Sequence, residues 1–194
     1  MTFKLLTSVL FLCCYSFVVS QTKNEQEERV KVNEFPKVAQ EYFNKLPHKL
    51  KNQRFYRESD GDKLSFEAKF KYKKQHYSVE FDANGILEDV EVLIKKKDIP
   101  KVSFETILNY FNTHFDHVRF IKIQKQYINA SHTNDLQFIN FVLDDSINKN
   151  TYFEIIADIK SNGKHLLKEF TFKSNGEFEK SRPVSSSSYE YALY

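Results

Sequence analysis

The 194-residue chain has only four glycines, and each follows Asn or Asp: Asp60-Gly61, Asn84-Gly85, Asn162-Gly163 and Asn175-Gly176. Such dipeptides between alternating apolar residues are the strongest short-range signal for a β-hairpin, because glycine takes positive φ without steric cost. The same scarcity excludes chemistry. Neither G-x-G-x-x-G nor G-x-x-x-x-G-K-[ST] can be written with glycines only at 61, 85, 163 and 176, so no Gly-rich loop cradles a nucleotide phosphate. Hairpins therefore frame the expected fold, and 19 Phe and 11 Tyr supply its filling.

Strand patterns surround these turns. Phe66, Ala68, Phe70 and Tyr72 alternate with Ser65, Glu67, Lys69 and Lys71, and Tyr77, Val79 and Phe81 alternate with Ser78, Glu80 and Asp82. One face is expected to be buried and the other wet. Arg54 to Glu58, Leu64 to Tyr72, His76 to Asp82 and Ile86 to Ile94 make one antiparallel meander. Val118 to Ile128, Leu136 to Leu143, Tyr152 to Ile159, Leu166 to Phe172 and a short run at Phe178 make a second. A helix precedes each. Phe35, Val38, Ala39, Tyr42, Phe43 and Leu46 form one apolar stripe, started by Pro36 and stopped by Pro47. Phe104, Ile107, Leu108, Phe111 and Phe115 form the other, with Ser103 as its expected N-cap.

The halves correspond. Tyr77-Ser-Val-Glu-Phe-Asp-Ala-Asn-Gly85 lies over Lys168-Glu-Phe-Thr-Phe-Lys-Ser-Asn-Gly176 at an offset of 91, and Phe66-Glu67-Ala68 lies over Phe153-Glu154-Ile155 at 87. The expectation is an α+β fold of two tandem helix-plus-antiparallel-sheet units, 34–98 and 99–184, with one helix packed on each meander.

The ends read differently. Lys4 followed by apolar Leu5 to Val19 and the small Ser20 has the form of an export signal, 1–20, which leaves a secreted or periplasmic chain with no transmembrane segment. Cys13 and Cys14 both fall inside it, and Leu12 before Cys13 suits a lipoprotein signal poorly. Residues 21–33 read as a polar linker and 185–194 as a Ser/Tyr tail.

Together, the helix Phe35 to Leu46, the hairpin Tyr77 to Leu87 and their counterparts Phe104 to Phe115 and Lys168 to Phe178 resemble the PepSY-like family of exported bacterial proteins. That family is related in fold to the β-lactamase-inhibitor protein. The resemblance implies non-catalytic binding of a protein or peptide in the envelope, with inhibition of an exported enzyme as one form of it, and carries over no site residue.

Composition agrees with a non-enzyme. With 29 basic against 26 acidic residues the chain is not marked as a nucleic-acid binder. No nucleophile motif stands out, and no cofactor or metal is expected. His114 and His117 lack a third ligand nearby, and Asp60-Gly-Asp62 is explained by its turn. The candidate binding residues are loop positions Asp60, Asp62, Lys73, Lys74 and Lys164. Lys71, Lys73, Lys74 and Lys95 to Lys97 blunt strand edges, or, in the alternative reading, bind anionic glycans or surfaces.

Overall fold

A computed structural model describes residues 22–46, 49–130, 134–145 and 151–185; the expected signal, 1–20, and all of the tail beyond residue 185 lie outside these. The strands are β1 (Glu25–Val30), β2 (Lys51–Asp60), β3 (Lys63–Tyr72), β4 (Gln75–Asp82), β5 (Leu87–Leu93), β6 (His117–Tyr127), β7 (Thr151–Ser161), β8 (Lys164–Lys173) and β9 (Phe178–Pro183). Helix α1 (Lys37–Lys45) precedes β2, α2 (Lys101–His114) joins β5 to β6, and α3 (Asp135–Leu143) joins β6 to β7. All four glycines turn hairpins, between β2 and β3, β4 and β5, β7 and β8, and β8 and β9, each at positive φ.

The expected α+β pair of tandem units is corrected. Among the described residues nine strands form one antiparallel sheet in sequence order, with three short α-helices, so the fold is mainly β. The ladder crosses the supposed boundary at 98/99: Val90 pairs with Tyr127 and Leu93 with Gln124. A free edge at β5 would leave a row of N–H and C=O groups without partners, and pairing with β6 satisfies them. Three local expectations also change. The 21–33 linker contains β1, which pairs with β2 along its whole length. The run Leu136 to Leu143 is α3, started by Asn134, whose side chain accepts from the Gln137 N–H at 3.1 Å. Its buried residues Phe138, Ile139, Val142 and Leu143 follow helical spacing, an ambiguity inherent in short apolar runs. Ser103 lies inside α2 rather than at its cap and donates its hydroxyl to the Ser174 carbonyl in the β8–β9 turn at 2.8 Å.

The helices cover one face. There, Ala39 of α1 and Ile139 of α3 join Val79, Phe81 and Val90 in one cluster, while Ile107 and Phe111 of α2 join Ile155, Phe170 and Phe172 in another. Each of these side chains is fully buried. The opposite face is polar, and the sheet curls around it until its edges touch. Lys23 forms a parallel bridge with Val184, donating its N–H to Pro183 O at 2.8 Å and accepting from the Ser185 N–H at 2.9 Å. A face that alternation assigns to solvent is thus folded inward.

Candidate functional site

Because side chains alternate across a strand, residues directly opposite one another share a face. On the polar face Glu27 opposes Glu58, Glu67 opposes Glu80, and Glu80 opposes Asp89. Glu91, Glu154 and Glu169 continue the acidic lining from β5, β7 and β8. The curl closes these positions around a chamber of about 580 Å³, lined by ten carboxyl-bearing and six cationic side chains.

The cations concentrate in three places. At the closure, Arg182 bonds Glu169 at 2.7 Å and Asp60 at 2.9 Å, and Lys23 bonds Glu169 at 2.7 Å. Burial alone would raise the Glu169 carboxyl, but Lys23 and Arg182 hold it down at about 2. Beside β1, Lys69 bridges Glu27 at 2.6 Å and Glu67 at 3.0 Å. Burial would lower the Lys69 ammonium, yet the two carboxylates hold it above the usual lysine range. At the β2–β3 end, Lys63 contacts Glu88 at 2.9 Å and Glu80 at 3.2 Å.

Other carboxyls lie between these clusters. Among the described residues Glu58, Asp89, Glu91 and Glu154 form no ion pair. Burial, then Glu25, Glu67 and Glu80, push Glu58 up to about 10; burial and Asp89 push Glu91 up to about 8. Asp89 and Glu154 are also held well above the carboxylate range, chiefly by burial. Asp89 Oδ2 accepts from Gln126 at 2.8 Å, whereas its Oδ1 is buried without a donor.

The other end of the polar face is basic. Two adjoining hollows of about 440 and 480 Å³ share His76, Leu93, Ile121 and Lys122. Arg54 and Lys71 line the first, and Lys74, Lys95 and Lys96 the second. Among the described residues none of these five forms an ion pair. Leu93 is 45% exposed, and Ile121 sits where a bulge between Phe120 and Lys122 interrupts the β6–β7 register. The result is a groove with Leu93 and Ile121 in its floor and a mostly cationic wall, to which Glu67 and Asp98 also contribute.

The structure separates the five loop residues expected from the sequence. Asp60 belongs to the chamber's closure, and Lys74 lines the basic groove. Lys73, at positive φ beside it, turns instead to Asp144 at 3.0 Å. Asp62 and Lys164 are exposed at their turns and line neither site. His114 and His117 fall on different elements, the end of α2 and the start of β6, and His114 Nδ1 donates to Tyr110 O at 2.7 Å. The acidic lining and the Arg54, Leu93, Ile121 and Lys122 groove were missed. The signal available was an acid at a polar position of nearly every strand, Glu58, Glu67, Glu80, Glu91, Glu154 and Glu169, more regular than a solvated face requires.

No family model and no curated protein matches the chain. A solved DUF2874 family protein from Bacteroides ovatus aligns over 77% of this chain and 87% of its own, at 11% identity and a TM-score of 0.52. A BLIP-like protein from Bacteroides fragilis aligns over 77% of this chain and 86% of its own, at 11% identity and a TM-score of 0.49. At such identity the likeness to the Bacteroides ovatus protein is one of fold alone.

Proposed function

We propose that this chain is an exported, non-catalytic binding module that grips an acidic segment of an envelope protein in the basic groove. The observation that carries the reading is the set of cations around exposed Leu93, among them Arg54, Lys71, Lys74, Lys95 and Lys96, that form no ion pair among the described residues. A peptide with Asp or Glu flanking one large apolar side chain complements both wall and floor, and the rim charges would speed encounter. The PepSY-like resemblance supports the same class of function, with residues 1–20 removed on export.

The groove also favours a second reading, an anionic glycan, since Lys71, Lys74, Lys95 and Lys96 converge there. The two separate experimentally. A fluorescent peptide of alternating Glu and Leu and a sulfated glycan are titrated against wild type, Lys71→Glu/Lys74→Glu and Leu93→Ser. Peptide recognition predicts loss of peptide binding in both variants, by about tenfold or more for the charge reversal. Glycan recognition predicts loss of glycan binding in the charge-reversed variant alone. Binding of both probes unaffected by charge reversal refutes the groove.

A further inference from the structure

The chamber suggests a second site, which adjoins the groove at Glu67 and Lys69. Glu27 and Glu58 face each other directly on β1 and β2, and Glu67 lies on the adjoining strand β3. One carboxylate oxygen from each lies within 4.8 Å of the other two. Like charges directly opposite on a ladder repel, so a register that brings three carboxylates together calls for a positive charge among them. Lys69 meets part of that need through Glu27 and Glu67.

Glu58 is the member that Lys69 leaves over. Its residue is 7% exposed, and its carboxyl forms no hydrogen bond or ion pair among the described residues. One of its oxygens lies against the other two carboxylates, and with Lys69 held by Glu27 and Glu67 no ion pair among the described residues offsets it. We propose that Glu27, Glu58 and Glu67 bind a divalent cation of the calcium type inside the chamber.

The donor chemistry selects the class of ion. All three ligands are carboxylates, with no imidazole or thiolate in the cluster. Hard oxygen ligands suit Ca²⁺, which takes six to eight oxygens at about 2.3–2.6 Å. Oxygens up to 4.8 Å apart can therefore meet one ion, and a chamber of about 580 Å³ has room for waters to complete its shell. Mg²⁺ demands a tighter octahedron and gives up its water reluctantly, so it should bind more weakly. The ion would join the edge strand β1 to β2 and β3, while Lys69 shifts toward a single carboxylate.

Calcium chloride is titrated calorimetrically into metal-stripped wild type, Glu58→Gln, Glu27→Gln and Lys69→Met, with magnesium chloride run in parallel and folding checked by circular dichroism. Glu28→Gln, on the outward side of β1, is the control. One Ca²⁺ per chain is expected for wild type and control. Glu58→Gln should weaken binding by about tenfold or more, since fewer ligand charges mean lower affinity. Lys69→Met should tighten it, because the competing ammonium is gone. If Glu58→Gln does not fold, Glu27→Gln on the edge strand carries the test alone. Absence of Ca²⁺ binding by folded wild type, or equal affinity in every folded variant, overturns the proposal.

Discussion

Gly176 and Gly163 both occupy hairpin turns at positive φ, 88° and 77°, yet they should respond very differently to alanine. At either position the new residue would sit in the left-handed region, which costs about 1–2 kcal/mol. At Gly163 nothing lies within 4 Å of the added Cβ, so the backbone cost is the whole effect. At Gly176 the Cβ would lie 2.3 Å from Ser103 O and 2.9 Å from Thr106 Cβ. Ser103 O is backbone of α2, whose Ile107 and Phe111 are fully buried, so it cannot rotate away as a side chain would. Relieving the overlap means moving the helix or the turn, and overpacking of that kind adds about 1–3 kcal/mol. The expected losses are therefore about 1–2 kcal/mol for Gly163→Ala and about 2–5 kcal/mol for Gly176→Ala. Urea unfolding reads both as midpoint shifts at constant slope. Gly85→Ala should fall between them, because its nearest contact at 2.9 Å is the Pro36 side chain. Equal losses at 163 and 176, within about 0.5 kcal/mol, would refute the claim that α2 is seated directly on the last hairpin.

Arg182→Leu should destabilise by about 2–4 kcal/mol in thermal melts, because Glu169, 3% exposed, then keeps Lys23 as its one ion-pair partner among the described residues. Adding Glu169→Gln should recover part of that loss, and strict additivity of the two substitutions would refute the coupling. Burial and Asp89 raise Glu91 from about 4.5 unfolded to about 8 folded, so its contribution is fully present below pH 4.5 and disappears as pH rises through 8. Unfolding free energy should therefore decline between pH 5 and 9 by an amount on the order of a few kcal/mol, and Glu91→Gln should flatten the slope. A profile that Glu91→Gln leaves unchanged would contradict the burial of this carboxyl. Asn134→Ala should cost about 1 kcal/mol through loss of the α3 cap, read by the same melts.

Turn chemistry and period-two alternation made the hairpins and the helix-facing core visible in the sequence, since both depend on residues next to one another in the chain. What alternation cannot express is the curvature of the finished sheet. Glu67 and Glu80 occupy positions identical in pattern to those of a solvated face, and the curl that brings Lys23 to Val184 turns that face into an interior. The same limit hid the basic groove. Arg54, Lys71 and Lys95 belong to separate strands or connections, and the bulges after Lys51 and Phe120 shape the end of the sheet where they gather. The supposed division into units failed for a related reason. A helix followed by a meander reads as self-contained, but β5 presents the same unpaired groups at its free side whether a domain ends there or not, and β6 is the partner that takes them. Enclosure also changes what the polar residues can do. A carboxylate that would be hydrated on an open sheet must, inside this one, find a cation or a proton, and Glu169 beside Arg182 and Glu91 with its raised carboxyl stand for these two outcomes. The distribution of charged and neutral groups over the inner face is therefore a consequence of closing the sheet.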